Sequence, residues 1–271
     1  GKRLYAAGSW VTDKGQFAIL AWPDTGQGEP AVLPVARNTI TALHATRDGS
    51  LLYATADPAW GVLAANGQPL FAVGNSLLDF RNLRSRFRLA ADGSALAFQE
   101  TRPGNSGDAF DIRQLAWTKP GKDWQAPRTS AAKTMVDNWF ERQQPSINGK
   151  GIGLDANEWS LSASVARDGS RVAIATNFQI RLYDRNGREL WRTAAPATAW
   201  QINTSDDGRW VVAALSDGTL RWYRQQDGSE QLVFFPQADG RRWVMWTPGG
   251  HFAASPGGEN LVGWQVDRGP A

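Results

Sequence analysis

The sequence predicts an all-β fold made of repeated units, and three observations lead to this prediction. A short motif recurs in which two apolar, strand-like segments flank an Asp-Gly pair. Further short alternating segments follow each copy, and no long amphipathic helix can be placed between Gly1 and Ala271. Short alternating segments bounded by turn residues are typical of strands in all-β proteins.

The Asp-Gly motif marks the repeat. The pairs begin at Asp48, Asp92, Asp168 and Asp207, at spacings of 44, 76 and 39 residues. The middle spacing is close to two repeats, as if one copy had lost its marker. Asp-Gly favours a tight hairpin turn because the pair accommodates positive φ angles. A degenerate fifth copy has the Gly249-Gly250 turn in VMWTPGGHFAAS.

Each unit holds about four strands in about 40 residues, which is the period of a propeller blade. The markers that give six units lie near Gly1, Gly49, Gly93, Gly169, Gly208 and Gly249. A unit hidden between Ala116 and Asn157 makes seven. The sequence therefore predicts a β-propeller of four-stranded antiparallel blades, with seven blades favoured and six as the alternative, in a single domain spanning 1–271.

Tryptophan is abundant, with 14 residues in the chain. Neighbouring blades stack face to face, and large side chains fill the space between them. The residues to which we assign this packing role are Trp191, Trp200, Trp210, Trp222, Trp243, Trp246 and Trp264.

Composition excludes several classes of protein. The chain has no cysteine, so it has neither disulfides nor a cysteine metal site. Its net charge of +3 lacks the strong basic excess of a nucleic-acid binder, which argues against nucleic acid as a partner. No apolar run is long enough for a membrane helix. The first residues resemble a strand entered in mid-domain, so we expect the chain to be part of a longer protein, and the compartment stays open between cytoplasm and export.

No catalytic, metal-binding or cofactor-binding residues are predicted, and the chain is interpreted as a non-enzyme. Its only histidines, His44 and His251, lack the spacing of a metal site or catalytic triad and favour structural roles. The acidic residues from Asp206 to Asp227 fall at predicted hairpin turns, where Asp is favoured for local hydrogen bonds.

Two candidate partner-binding features remain. In FRNLRSRFRL a strand would place Arg84, Arg86 and Arg88 on one face, where they could bind a phosphate or an acidic partner or pair with nearby carboxylates. Leu83, Phe87 and Leu89 would take the other face. Trp60 follows a turn and is either an interface anchor or a residue packed over a neighbouring blade.

A family resemblance spans nearly the whole chain, including LPVARNTITALHATRDGSLLYATADPAWG and SLLDFRN, and is strongest from Ala199 to Gly269. Its motifs DGTLRW, WTPGG and SPGGENLVGW lie between Ala199 and Gly269. They resemble the C-terminal WD40-like propeller of large bacterial WD-repeat proteins, some of which carry a caspase-like peptidase domain. The Trp-Asp and Gly-His dipeptides of eukaryotic WD repeats are missing, so the hydrogen-bond network of those repeats is not assumed.

The resemblance implies a non-catalytic protein-interaction or scaffold module in a bacterial multidomain protein. Its partners would be other proteins or other domains of the same polypeptide, such as an attached peptidase domain that it regulates. The alternative is a propeller with a small-molecule or metal site in its central channel, which would require several acidic or histidine side chains to meet near the axis.

Overall fold

The computed structural model describes residues 3–23, 26–56, 59–74, 77–81, 83–98 and 109–263. The chain divides into two compact units, Gly1–Ser76 and Leu77–Ala271. Within the described ranges the regular structure consists of antiparallel strands and two short 3-10 turns, Arg84–Arg86 and Glu259–Leu261. The all-β prediction is confirmed, whereas the single-domain boundary stays a prediction. None of the described helical segments is long and apolar enough to cross a membrane.

The first unit contains two sheets. Sheet I consists of β1 (Leu4–Ala6), β2 (Phe17–Trp22) and β3 (Ala31–Ala36). Sheet II consists of β4 (Ile40–Ala45), β5 (Leu51–Thr55), β6 (Trp60–Leu63) and β7 (Pro69–Val73), each strand pairing with the next in sequence. Buried side chains from both sheets form one core, made of Ile19, Ala36, Ile40, Leu51, Tyr53 and Leu63.

The second unit begins with two sheets of short strands. Sheet III consists of β8 (Arg88–Leu89), β9 (Ala95–Ala97), β10 (Ala109–Asp111) and β11 (Ala116–Thr118). Sheet IV consists of β12 (Ser130–Ala131), β13 (Thr134–Asp137), β14 (Ser146–Ile147) and β15 (Lys150–Gly151). Sheet IV lies in the stretch where the sequence predicts a unit without its marker.

Longer strands form the last two sheets. Sheet V consists of β16 (Ser160–Val165), β17 (Arg171–Thr176), β18 (Gln179–Asp184) and β19 (Glu189–Ala194). Sheet VI consists of β20 (Ala199–Thr204), β21 (Trp210–Leu215), β22 (Leu220–Arg224), β23 (Glu230–Pro236), β24 (Trp243–Trp246) and β25 (Phe252–Ala254). The described residues therefore form six sheets, four of which have the four strands predicted for each unit.

The Gly249-Gly250 copy does not begin a sheet of its own. Its two strands, β24 and β25, continue sheet VI because β24 pairs with β23 from Val233↔Trp246 to Pro236↔Trp243. Trp243 and Met245 are buried there, and Trp243 stacks edge-on against Phe110 with ring centroids 5.0 Å apart. Burial of these side chains holds the hairpin on the edge of sheet VI.

In the marker turns, fewer residues have positive φ angles than the Asp-Gly pairs could accommodate. Among the described residues, positive φ occurs at the glycine of each pair, for example 84° at Gly49 and 67° at Gly169, and not at the preceding aspartate. The carboxylate of that aspartate instead accepts a hydrogen bond from the backbone N–H two residues later, as Asp168 does from Ser170 at 2.9 Å. The aspartate therefore provides a hydrogen-bond acceptor for the turn, and the glycine provides its positive φ angle.

Sheets V and VI are packed on both faces. Along β21, Val212 and Ala214 contact the core shared with sheet III, whereas Val211, Ala213 and Leu215 contact the core shared with sheet V. Sheet V in turn shares a third core with sheet IV. The alternation of strand side chains accounts for this arrangement, since successive residues point to opposite faces.

Tryptophans pack in these layers at five of the seven predicted positions. Trp222 and Trp243 are buried in the core between sheets III and VI, with Trp117, Trp200 and Trp210 packed against it. Trp191 packs against the core between sheets V and VI. Trp264 lies outside the described residues.

Hydrogen bonds connect sheets III, V and VI of the second unit in a cycle. Asn203 of sheet VI donates from Nδ2 to the carbonyl of Phe87, next to sheet III, and to Gln125. Gln125 exchanges two backbone hydrogen bonds with Leu89 of β8, and Arg128, three residues later, accepts one from Val165 of β16. Ser164 of β16 bonds to Asn203, which completes the cycle. Sheets III, V and VI are thus linked through hydrogen bonds of side chains and backbone groups.

Candidate functional site

Trp60 begins β6 and lies at the surface of sheet II. Its side chain is 45 % exposed, and its ring centroid lies 5.2 Å from that of Phe71, which is 51 % exposed. Phe71 belongs to β7, and Val73 on the same strand is the direct cross-strand neighbour of Trp60. Trp60 is therefore part of an aromatic pair on the outside of the sheet.

The face of sheet II that carries this pair is apolar and exposed. Cross-strand registers place Leu52, Val62 and Phe71 in one row and Ala54, Trp60 and Val73 in the next. Residues directly opposite each other share a face. The opposite face carries Leu51, Tyr53 and Leu63, which are buried in the core of the first unit. Sheet II thus has one packed face and one exposed face, which we call the Trp60 face.

The arginine segment differs from the prediction. Residues Arg84–Arg86 form a 3-10 turn, and only Arg88 lies in a strand, β8. Arg84 has φ = 43°, so the chain turns where the sequence suggests an extended strand. The burial pattern is nevertheless as expected, because Leu83, Phe87 and Leu89 are buried while the three arginines are exposed. The turn forms because these apolar side chains enter the core shared with sheet VI.

Arg84 and Arg88 therefore have different surroundings. The guanidinium of Arg84 lies over the ring of Phe140 at 5.2 Å, a cation–π geometry. Arg88 donates from Nε to the carbonyl of Ser85 at 3.1 Å. Trp60 belongs to the first unit, whereas the three arginines belong to the second.

Sheet V contains a buried charge network that the sequence analysis missed. Arg181 on β18 is 1 % exposed and donates to both carboxylate oxygens of Glu158, which is fully buried. Thr176 donates to Glu158 at 2.6 Å, and Glu189 on β19 accepts from Arg181 at 2.5 Å. Burial lowers the pKa of Arg181, but the hydrogen bonds and charge interactions with Glu158, Tyr183 and Glu189 together outweigh this effect and raise the pKa above its usual value.

The network has a counterpart in sheet VI. Arg221 on β22 pairs with Glu230 on β23 at 2.8 Å and with Asp217 at 3.3 Å. In both sheets a tyrosine follows the arginine by two residues, and burial raises the pKa of Tyr183 to about 12 and that of Tyr223 still further. The shared spacing in QIRLYD and LRWYR is the sequence signal that could have identified this repeat-level ion pair.

The acidic residues at the turns behave as predicted. Asp207 accepts from the backbone N–H of Arg209, Asp217 from Thr219 and Asp227 from Ser229. Asp206 is an exception, since its carboxylate pairs with Arg128 at 2.8 Å.

The two histidines lie apart from any cluster of metal ligands. His44 lies on β4 opposite Leu52, and His251 follows the Gly249-Gly250 turn. Within the ranges that the structure describes, no group of three or more His, Cys, Asp or Glu side chains could hold a metal ion.

A cleft of about 300 Å³ opens in the first unit. Leu33, Leu51 and Leu63 contribute apolar walls, while Arg3 and Glu29 bring charges of opposite sign. The guanidinium of Arg3 is bound to the carbonyl of Ala65. The volume lies at the lower end of the range of small-molecule sites.

Comparison with known proteins assigns no family. The chain matches no protein-family model and no curated protein. Among solved structures, the crystal structure of the computationally designed Ika8 protein covers 89 % of this chain and 84 % of its own, with 15 % identity and a TM-score of 0.33. A similarity at this level carries no argument about fold or function.

Proposed function

We propose that this chain is a non-catalytic protein-interaction module built on a propeller-type repeat. The observation that carries the proposal is the Trp60 face. Sheets V and VI cover both faces with neighbouring sheets, whereas sheet II presents an aromatic pair and aliphatic side chains to solvent. Exposed apolar surface of this kind marks interaction sites, and tryptophan is enriched among residues that dominate binding energy.

The repeat architecture supports the propeller part of the proposal. Antiparallel sheets follow one another along the chain, and hydrogen bonds connect sheets III, V and VI of the second unit. In the β24–β25 hairpin the N–H of Gly250 donates to the carbonyl three residues earlier, as the marker glycines do, and Gly250 has φ = 85°, which supports a seventh unit. The count of seven blades remains a proposal, as does the resemblance of these repeats to WD40 propellers.

The kind of protein to which this module belongs is inferred from the resemblance that the motifs DGTLRW, WTPGG and SPGGENLVGW carry. We infer a bacterial multidomain protein in which this module recognises a partner or regulates an attached effector domain, such as a caspase-like peptidase. The exposed arginines Arg84, Arg86 and Arg88 would provide a second, basic contact surface for acidic groups.

Affinity capture with the full chain tests the interaction role. The bait would be the wild-type chain or its Trp60→Ala or Arg86→Ala variant, in lysate from cells that produce the protein naturally. Trp10→Ala and Arg185→Ala serve as matched controls, because both residues are exposed and lie outside the two proposed surfaces. We expect a protein partner that is depleted by Trp60→Ala or Arg86→Ala and retained by both controls.

Two results would count against an interaction module. One is that no protein is captured above the level of an unrelated bait. The other is that all four variants capture the same proteins in the same amounts as the wild-type chain.

A further inference from the structure

The outer strand of sheet II has an open edge. Strand β7 pairs with β6 alone among the described strands, and all five of its residues are exposed. The strand carries no charge, and Leu70 is 63 % exposed. An edge strand presents unpaired backbone N–H and C=O groups, which is a template for another strand.

Four other outer strands, β3, β11, β15 and β19, are protected in ways that β7 is not. Strand β3 contains Pro34, which cannot donate to a ladder, and β19 carries the charges of Glu189 and Arg192. Strands β11 and β15 have only three and two residues. Proline, charge and short length are the usual means of blocking edge pairing. In β7 the proline stands at the first position, so residues Leu70 to Val73 remain available.

Sheet VI contains an apolar strand whose outer edge is covered by another strand. Its strand β23 has the apolar run Leu232–Phe235, and its outer side is covered by β24, an antiparallel strand with the sequence Trp-Val-Met-Trp. The pairs Val233↔Trp246 and Phe234↔Met245 combine aromatic and aliphatic side chains. An apolar outer edge is thus already occupied once, by an extended segment rich in aromatic residues.

We propose that β7 binds an extended apolar segment of a partner polypeptide by adding it to sheet II as a fifth, antiparallel strand. The backbone of Leu70 to Val73 would supply the ladder hydrogen bonds. Alternate side chains of the segment would lie beside Phe71 and Val73 on the Trp60 face, where the aromatic pair provides the contact area. This proposal rests on the interaction role above and specifies its partner as an uncharged strand with aromatic or aliphatic residues at alternate positions.

A peptide segment fits this edge better than a second copy of the chain does. Five residues of strand extend over about 17 Å. Stable association of two folded proteins buries about 1,200 Å² or more, and an edge of this length alone falls short of that area. An extended segment can instead pair along the edge and also cover the neighbouring Trp60 face, so it contacts both surfaces of this part of sheet II.

A peptide copying the segment that covers β23 provides the probe. We would use the uncharged residues 243–247 with blocked ends, and the Val244→Pro version of this peptide as the non-pairing control. Fluorescence anisotropy measures binding to the full chain, and hydrogen–deuterium exchange locates it. We expect slower exchange in residues 69–74, and an affinity lowered about tenfold or more by Leu70→Lys, which places a charge on the edge.

Val32→Lys is the matched variant, because Val32 is an exposed residue on β3, another outer strand of the first unit. We expect it to bind the peptide like the wild-type chain. The proposal is overturned if the wild-type chain does not bind, if Leu70→Lys binds equally well, or if exchange slows only at β23. Dimerisation abolished by Leu70→Lys would also overturn it, since the occupant would then be a second copy.

Failure of this proposal can be told apart from failure of the interaction role. A partner captured equally by wild type and Leu70→Lys, with no peptide binding, would retain the interaction module and reject the β7 edge. Absence of any captured partner would reject the module itself.

Discussion

At the scale of single residues, equivalent positions in sheets V and VI carry ion pairs that differ in exposure to solvent. Arg181 and Arg221 each lie two residues before a tyrosine and each pair with a glutamate on the next strand. Only Arg181 also binds a fully buried carboxylate, that of Glu158. Removing one member of a buried pair is costly because it leaves an uncompensated charge away from water.

Replacing the two arginines should therefore have unequal effects. Arg181→Met should lower the free energy of unfolding by about 3–5 kcal/mol, because Glu158 then lacks its cation. Arg221→Met should cost about 1 kcal/mol, because its partners Asp217 and Glu230 reach solvent. Urea unfolding followed by tryptophan fluorescence measures both. The double variant Arg181→Met/Glu158→Gln should recover part of the loss, and equal losses for the two single variants would contradict this account.

The turn aspartates predict a dependence of stability on acid. The backbone N–H of Ser170 lowers the pKa of Asp168, and that of Arg188 lowers the pKa of Asp184. A carboxyl whose pKa is lower in the folded state stabilises the fold fully above its unfolded pKa of about 4, and this contribution disappears as the pH falls through the folded pKa. We expect urea stability to decline below about pH 4 and to decline less steeply in Asp168→Asn; parallel curves for both proteins would contradict this expectation.

At the scale of elements, the strands and turns follow from local sequence. The alternation along Arg171–Thr176 and Trp210–Leu215 identifies strands, and the Asp-Gly pairs locate the hairpins between them. Sheet IV was found only as a gap between markers, because its strands have two to four residues and carry little periodicity. The turn at Arg84–Arg86 was missed because alternating arginines imitate a strand.

Two elements depend on contacts that no local pattern contains. The β24–β25 hairpin joins sheet VI because Trp243 and Met245 pack with Phe110, a residue far away in sequence. The open edge of β7 becomes visible only when the structure shows which strand is outermost. Its signal in the sequence, an uncharged PLFAV run, does not by itself separate an edge strand from a buried one. Trp60 was identified from sequence, whereas its neighbour Phe71 was not.

The marker glycines provide a matched test of the hairpins. Gly169 and Gly208 have φ angles of 67° and 71°, so alanine would be strained at both by about 1–2 kcal/mol. A Cβ at Gly169 would also lie 2.6 Å from the carbonyl oxygen of Ala131, whereas the nearest atom at Gly208 is a side-chain nitrogen at 3.6 Å. Gly169→Ala should therefore lower the midpoint of urea unfolding clearly more than Gly208→Ala; the reverse order would contradict the packing described for this turn.

At the scale of the whole molecule, the contacts within the second unit depart from simple sequence order. Sheet VI packs against sheet V on one face and against sheet III on the other. The resemblance and the repeat period predict blades stacked in sequence, and neither could indicate that sheet III would meet sheet VI. Long-range pairing of this kind is decided by the fit of the aromatic cluster around Phe98, Phe110 and Phe234.

A double-mutant cycle tests the contact between sheets III and VI. The rings of Phe110 and Phe234 stack with centroids 4.4 Å apart, so Phe110→Leu and Phe234→Leu should show a coupling energy of about 0.5–3 kcal/mol in urea unfolding. Ile180 lies in the core on the opposite face of sheet VI. The changes in unfolding free energy of Ile180→Val and Phe110→Leu should therefore add within about 0.5 kcal/mol. Additive effects of the two phenylalanine variants would contradict the arrangement.

We propose that this chain recognises another protein through the exposed surface of sheet II. Site-specific photo-crosslinking in living cells detects such a contact directly. A benzophenone amino acid would replace Phe71 in one variant and Phe178 in another, since these phenylalanines are 51 % and 52 % exposed. We predict a discrete protein adduct from position 71 that is absent from position 178 and is reduced when Leu70→Lys is added. No adduct at position 71, or the same adducts at both positions, would contradict the account.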